Sequence, residues 1–93
     1  MRLIDLIAQL HALDDAETIY AKEPWSEDCE AMTSPEDESG TLAPPALEMR
    51  GFKYFLEVYI AQQHVEDWRQ SVGRMPSASE VCARLIQYAI NDA

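Results

Sequence analysis

The chain has 93 residues, of which 47% are hydrophobic and 26% are charged, so it corresponds to one globular domain with one core. Seventeen Asp and Glu outnumber seven Lys and Arg, which gives a net charge of −10 at pH 7. Nucleic acids and anionic membranes are bound through clustered Lys and Arg, so this balance excludes both as expected partners. The charge favours a basic protein partner, or it serves only to keep the chain soluble.

The two cysteines, Cys29 and Cys82, are far apart in the sequence, and the N-terminal residues have no signal-peptide pattern. No apolar run approaches the roughly 18 residues of a membrane-spanning helix. These features predict a reduced, cytoplasmic protein. A disulfide between Cys29 and Cys82 stays open as an alternative to two free thiols.

Residues 2–13 have the periodicity of an amphipathic helix. Apolar residues recur at spacings of three and four, which places them on one stripe. This stripe consists of Leu3, Leu6, Ile7, Leu10 and Leu13. Asp14 and Asp15 follow at the end of the helix, where the dipole does not stabilise negative charge, and they predict a turn.

Two strands are predicted next, and they form a hairpin. Residues 17–22 (ETIYAK) predict a short strand that Pro24 ends. Residues 29–33 (CEAMT) predict a second, weaker strand, so the connection of the hairpin contains Trp25.

Residues 34–45 (SPEDESGTLAPP) have the composition of a loop, because they hold three Pro, one Gly and three consecutive acidic residues without apolar periodicity. Eight acidic residues and no Lys or Arg lie between Lys22 and Arg50. This acidic, Pro-containing loop is either a solvated connection or part of a negative surface for a basic partner.

Residues 52–73 hold the densest apolar run of the chain. Residues 54–61 (YFLEVYIA) are rich in aromatic and β-branched residues and are mostly apolar on both faces, which predicts a central strand. After Ile60 the period changes to that of a helix, and Gly73 predicts the end of this helix. Its apolar stripe consists of Ala61, Val65, Trp68 and Val72. One continuous helix from about Phe52 is the alternative, because Tyr54 and Val58 continue the helical spacing of this stripe toward the N-terminus.

The last helix is predicted over residues 78–90, with Ser77 as its N-cap and Glu80 completing a capping box. Its buried side is predicted to consist of Val81, Cys82, Leu85, Ile86 and Ala89, while Arg84 and Gln87 face solvent.

Together these elements predict one α+β domain over residues 1–93. Its sheet has three short antiparallel strands, with one N-terminal helix and two C-terminal helices, in the order α-β-β-β-α-α.

The chain lacks the patterns that are typical of metal, nucleotide and nucleophilic sites. Its cysteines and histidines (His11, Cys29, His64, Cys82) are separated by seventeen residues or more, whereas zinc ligands come in close pairs. The three Gly do not form a phosphate-binding loop. We therefore expect a protein that is not an enzyme and that holds no metal and no cofactor.

His64 lies at the border of the apolar face of its helix, three residues before Asp67. A half-buried His bonded to a neighbouring carboxylate is the expected structural role. The functional alternative is a general acid–base pair in a cleft, which no other feature of the chain supports.

The candidate partner-binding surface consists of Trp25, Glu27, Asp28, Glu30, Glu36, Asp37 and Glu38. Its acidic residues would steer a basic partner, and Trp25 would supply an apolar contact. The alternative for Trp25 is packing over Pro24 at the edge of the core.

Three features of the C-terminal half resemble a group of small, acidic, uncharacterised bacterial proteins, a domain of unknown function. They are FLEV at residues 55–58, Pro76-Ser77, and Tyr88 with Asp92-Ala93. The resemblance implies a bacterial origin and a strand that is followed by a helix. It carries no activity and no site residues.

Small acidic proteins of this general kind are often immunity proteins or inhibitors, and we expect an interaction module of that type, including one that imitates the charge of nucleic acid. The alternative is a non-catalytic, homo-oligomeric accessory protein. In that case apolar surface on the first or last helix would pair with itself in a homodimer.

Overall fold

The computed structural model describes the backbone of residues 1–35 and 49–92, and the side chains of all of these except Asp92. Within these residues, the elements are α1 (Leu3–Ala8), a 3-10 helix (Leu10–Ala12), β1 (Glu17–Lys22), β2 (Ala31–Pro35), β3 (Phe52–Glu57), α2 (Val58–Val72) and α3 (Ala78–Asp92). The predicted α+β class, the three-stranded sheet and the order of the elements are confirmed.

β1 is the central strand of the sheet, and it pairs antiparallel with β2 on one side and with β3 on the other. Ile19 and Ala21 point from β1 into the main core, where each is 0% exposed. Tyr20 points to the opposite face, where it forms a small second cluster with Phe52. The main core lies between the sheet and the helices, and α1, α2 and α3 all contribute buried side chains to it.

A β-bulge in β3 changes which of its side chains share a face. Leu56 pairs with Ile19 and Tyr54 pairs with Tyr20, so Phe55 is the additional residue of the bulge. Both Phe55 and Leu56 are therefore buried in the main core. In a regular strand, side chains alternate between the two faces, so Leu56 would share the face of Tyr54. The bulge makes this expectation wrong for Leu56.

The change from strand to helix takes place between Glu57 and Val58, so the helix begins three residues before the predicted change after Ile60. The strand-then-helix interpretation is confirmed, and the continuous helix is wrong. Val58, Ala61 and Val65 are the buried residues of α2, and their spacing is helical. Their burial against the core outweighs the strand propensity of residues 58–60.

The ends of the two long helices follow the predicted chemistry. Gly73 caps α2 in the left-handed conformation, with φ of 71°. Ser77 Oγ accepts a hydrogen bond of 3.2 Å from the backbone N–H of Glu80, as expected of the N-cap of α3. α3 extends to Asp92, two residues beyond the predicted end.

The first helix is shorter than predicted, because α1 ends at Ala8 and a 3-10 helix continues from Leu10. The side chain of Gln62 donates hydrogen bonds to the carbonyls of Leu10 (3.0 Å) and Leu13 (3.4 Å). The carbonyl of Leu10 also accepts the backbone N–H of Leu13, and Gln62 supplies a partner for the carbonyl of Leu13 after the 3-10 helix ends.

β2 begins at Ala31 rather than at Cys29, and it includes Ser34 and Pro35, which had been assigned to the loop over residues 34–45. Cys29 precedes the strand. Its backbone N–H donates to the carbonyl of Ser26 within a turn, and its carbonyl accepts the N–H of Leu3. The rest of the predicted acidic, Pro-containing loop lies outside the described residues. None of the helices in the described ranges is long and apolar enough to cross a membrane.

Candidate functional site

Residues 23–30 connect β1 to β2, and we call this segment the acidic loop. It is distinct from the Pro-containing loop that the sequence predicts over residues 34–45. It lies beside the N-terminus, whose backbone bonds to it. The N–H of Leu3 donates to the carbonyl of Cys29 at 2.8 Å, and the N–H of Ile4 donates to the carbonyl of Glu27 at 3.0 Å. These bonds fix the position of the second half of the loop against the start of α1.

Trp25 holds the first half of the acidic loop against the core. Its indole stands edge-on to the buried ring of Phe55, with ring centroids 5.0 Å apart. Its Nε1–H donates to the carbonyl of Ala21 at 3.2 Å. Trp25 is half-buried and packs against the main core, which confirms its predicted place at the edge of the core, and Phe55 is its ring partner there.

Asp28 extends from the loop into solvent, and its side chain is 77% exposed. Arg2 donates to Asp28 Oδ1 at 3.0 Å and, from Nε, to Asp5 Oδ2 at 3.0 Å. Both hydrogen bonds raise the pKa of Arg2, with the bond to Asp5 as the larger cause. Arg2 thus connects the loop to α1.

Glu30 and Glu27 both bond to residues outside the loop. Lys22 Nζ lies 2.8 Å from Glu30 Oε2, and this hydrogen bond is the main reason that the pKa of Glu30 is below its ordinary value. Glu27 Oε1 accepts a hydrogen bond from the hydroxyl of Ser79, in the first turn of α3. The acidic loop is therefore connected to α3 as well as to α1 and β1.

The structure brings the predicted residues Trp25, Glu27, Asp28 and Glu30 together in the acidic loop. The same corner holds five carboxylates (Asp5, Glu23, Glu27, Asp28, Glu30). The positive groups there are the side chains of Arg2, Lys22 and Arg50 and the N-terminal ammonium group, since Arg50 and that ammonium group both lower the pKa of Glu30. Five negative groups outnumber four positive ones, so the corner keeps a small negative charge. Glu36, Asp37 and Glu38 lie outside the described residues.

In the part of the chain that the structure describes, the Cys, His and acidic side chains do not form a recognisable catalytic arrangement. Cys29 and Cys82 are free thiols, and burial raises the pKa of Cys82 to about 11. His64 stacks on Tyr88, while Asp67 accepts a hydrogen bond from Gln63. Over residues 1–35 and 49–92, no three His, Cys, Asp or Glu side chains are grouped closely enough to hold a metal ion.

Sequence reasoning missed two of the residues that position the acidic loop. The sequence predicts only that Arg2 begins the first helix and that Ser79 lies in the first turn of the last helix. Arg2 reaches Asp28 across 26 positions, and Ser79 reaches Glu27 across 52. A residue pattern within one element carries no signal for contacts of this separation.

Comparison of the chain with models of protein families, with curated proteins and with solved structures finds no match.

Proposed function

We propose that the acidic loop is a preformed binding surface for a basic protein, and that the chain is a non-enzymatic interaction module of immunity or inhibitor type. One observation carries the proposal. The loop is held by the N-terminus, by the core and by α3, while Glu23, Asp28 and Glu30 remain exposed. A surface that is ordered before binding loses less conformational entropy when the partner arrives.

The mechanism is electrostatic steering of the partner. Clustered carboxylates of one sign raise the rate of encounter with a basic surface, by roughly 10-fold to 1,000-fold in strongly steered complexes. The ion pairs that the loop already makes through Arg2 and Lys22 do not prevent this, because exposed ion pairs contribute little and exchange partners readily. Basic groups of the partner can therefore displace Arg2 and Lys22 from Asp28 and Glu30.

We propose two roles for Trp25. Its buried edge fixes the loop, and its exposed part supplies an apolar contact beside the carboxylates. The contribution of Glu36, Asp37 and Glu38 stays a prediction from the sequence. The proposal does not depend on it, because Pro35, which precedes them, pairs with Glu17 at the other end of the hairpin.

The test compares two variants that carry the same charge. The loop variant combines Glu23→Gln, Asp28→Asn and Glu30→Gln, and the control variant combines Asp15→Asn, Glu17→Gln and Glu57→Gln. Each removes three negative charges and changes the net charge from −10 to −7. The control positions lie near the other end of the hairpin, where Glu17 begins β1 and Glu57 ends β3.

Each protein is immobilised and exposed to a lysate of its source cells, and the retained proteins are identified by mass spectrometry. We expect one basic protein to be retained by the wild type and the control variant and to be lost from the loop variant. Equal retention by all three proteins, or retention of no basic protein, contradicts the proposal.

The alternative, a homo-oligomeric accessory protein, is supported by exposed apolar side chains on the last two helices. Tyr59 of α2 is 55% exposed and Ile90 of α3 is 53% exposed. A molar mass that stays at twice that of the chain on dilution would favour this alternative. In that case the charge of −10 would serve solubility.

A further inference from the structure

Two ring contacts join α2 to α3. His64 stacks on Tyr88, with ring centroids 4.4 Å apart and planes at 40°. The guanidinium of Arg84 lies over the indole of Trp68, 4.7 Å from its centroid. The two residues from each helix are four positions apart, so the contacts lie one helical turn from each other. We call these four residues the aromatic ladder.

The aromatic ladder lines a shallow groove between the two helices that is open to solvent and has a volume of about 600 Å³. That volume is sufficient for a small organic molecule, one side of which would stay in contact with solvent. Arg84, Gln87 and Asn91 also line the groove, and their spacing of three and four places them on one side of α3. One wall therefore offers N–H donors, and the other offers the rings of α2.

Arg84 is the basic side chain of this groove, and it is available to an anion. Within the described part of the chain, no carboxylate forms an ion pair with Arg84, whereas Arg2, Arg69 and Arg74 all have such partners. Glu80 also lines the groove, but Arg74 Nη2 lies 2.8 Å from its carboxylate. The indole of Trp68 orients the guanidinium and leaves its charge uncompensated.

We propose that this groove binds a small, planar organic anion, and that Arg84 receives its charged group. A guanidinium presents paired N–H donors that match the oxygens of a carboxylate or a phosphate. The flat part of the ligand packs beside the rings of His64 and Tyr88. The net charge of −10 opposes an anion at long range. At physiological ionic strength, charges are screened over about 8 Å, so the nearby Arg84 decides the local interaction.

The test is a titration of the 15N-labelled, full-length chain at physiological ionic strength, followed by amide chemical shifts. The probes are benzoate, phenyl phosphate and benzamide, the last being the uncharged counterpart of benzoate. Ligands of this size bind with dissociation constants on the order of 1 mM, so the titration extends to about 10 mM. We expect saturable shifts at the amides of His64, Trp68, Arg84 and Tyr88 with at least one anion. The anion that binds with the lower dissociation constant shows whether the groove prefers a carboxylate or a phosphate.

Arg84→Gln and Lys53→Gln remove the same charge, and Lys53 is an exposed residue of β3 outside the groove. We expect Arg84→Gln to weaken binding by about tenfold or more, and Lys53→Gln to leave it unchanged. Arg84→Lys keeps the positive charge but loses the planar, paired N–H donors of the guanidinium. Its affinity for the anion should lie between those of Arg84→Gln and the wild type. The proposal is overturned if neither anion gives saturable shifts, if benzamide binds as well as the anions, or if Arg84→Gln binds like the wild type.

Discussion

The indole of Trp25 and the ring of Phe55 meet edge to face, at an angle of 83° between their planes. Phe55 is 1% exposed, because the bulge in β3 turns it into the main core. Through this contact the core of the domain determines the position of the acidic loop. The proposed partner-binding surface thus depends on a residue that lies in a different strand.

Replacement of Trp25 by Ala should lower the free energy of unfolding by about 2–4 kcal/mol. A fully buried aromatic residue loses roughly 3–5 kcal/mol on truncation to Ala, and Trp25 is half-buried. Unfolding in urea measures the change. Tyr59→Ala is the matched control, because Tyr59 is 55% exposed and should lose less than about 1 kcal/mol. Equal losses in the two variants would show that Trp25 does not anchor the loop.

Replacement of Gly73 by Ala should destabilise the protein by about 1 kcal/mol, because Gly73 has a φ of 71° and a side chain is strained there. Gly73→Asn should cost less, since Asn tolerates the left-handed conformation better than Ala. Among the described residues, no heavy atom beyond the two chain neighbours of Gly73 lies within 4 Å of where a Cβ would stand, so the backbone conformation causes the difference. A larger loss for Asn than for Ala would contradict this explanation. Thermal unfolding of the three proteins provides the measurement.

Stability should fall as the pH decreases below 6.5, in part because of His64. Burial lowers the pKa of His64 below its ordinary value of 6.5, Arg84 acts in the same direction, and Asp67 opposes the change. The unfolded chain therefore takes up this proton at a higher pH than the folded chain does. Above pH 6.5, neutral His64 makes its full contribution to the free energy of unfolding. This contribution is lost as the pH falls from 6.5 through the lower pKa that His64 has in the folded chain.

The measurement is the free energy of unfolding of the wild type and of His64→Gln as a function of pH. Below pH 6.5 the wild type should lose more stability than the variant. Two curves that stay parallel over this range would mean that folding does not change the protonation of His64.

Cys82 should resist alkylation in the folded protein. Its pKa is raised from 9.0 to about 11, mainly by burial. At mildly alkaline pH, a shift of that size lowers the reactive thiolate fraction by about 100-fold. Cys29 is half-buried and should react first with iodoacetamide, while Cys82 should react only after addition of urea. Mass spectrometry of the peptides distinguishes the two sites, and early labelling of Cys82 would contradict its burial.

The periodicity of the sequence was sufficient for the class and order of the elements, because most residues of the three predicted helical stripes lie in the core or against it. Val72, the last residue of the predicted α2 stripe, is an exception, because it is 40% exposed. Periodicity failed where distant contacts decide the local structure. The start of α2 at Val58 depends on packing against the core, and the bulge at Phe55 depends on pairing with β1. Neither effect is encoded in the local pattern.

In the candidate site, too, the local sequence pattern predicted some features, whereas contacts between distant residues determined others. The acidic composition identified Glu27, Asp28 and Glu30 as candidate residues, although Glu30 was expected in the second strand. The fixation of the loop depends on Arg2, Phe55 and Ser79, which come from three other parts of the chain. The groove between α2 and α3 was not predicted, because Arg84 was assigned to solvent and Trp68 to the core. Only the packing of the two helices brings these side chains together.

The most direct measurement of the proposed mechanism is the association rate constant of the captured basic protein at several salt concentrations. It is determined for the wild type, for the loop variant (Glu23→Gln, Asp28→Asn, Glu30→Gln) and for the control variant (Asp15→Asn, Glu17→Gln, Glu57→Gln). Steering predicts that the wild type and the control variant associate rapidly at low salt and slow down steeply as salt is added. The loop variant should associate about tenfold more slowly at low salt and depend less on salt. The same rate and the same salt dependence in all three proteins would contradict recognition through the acidic loop.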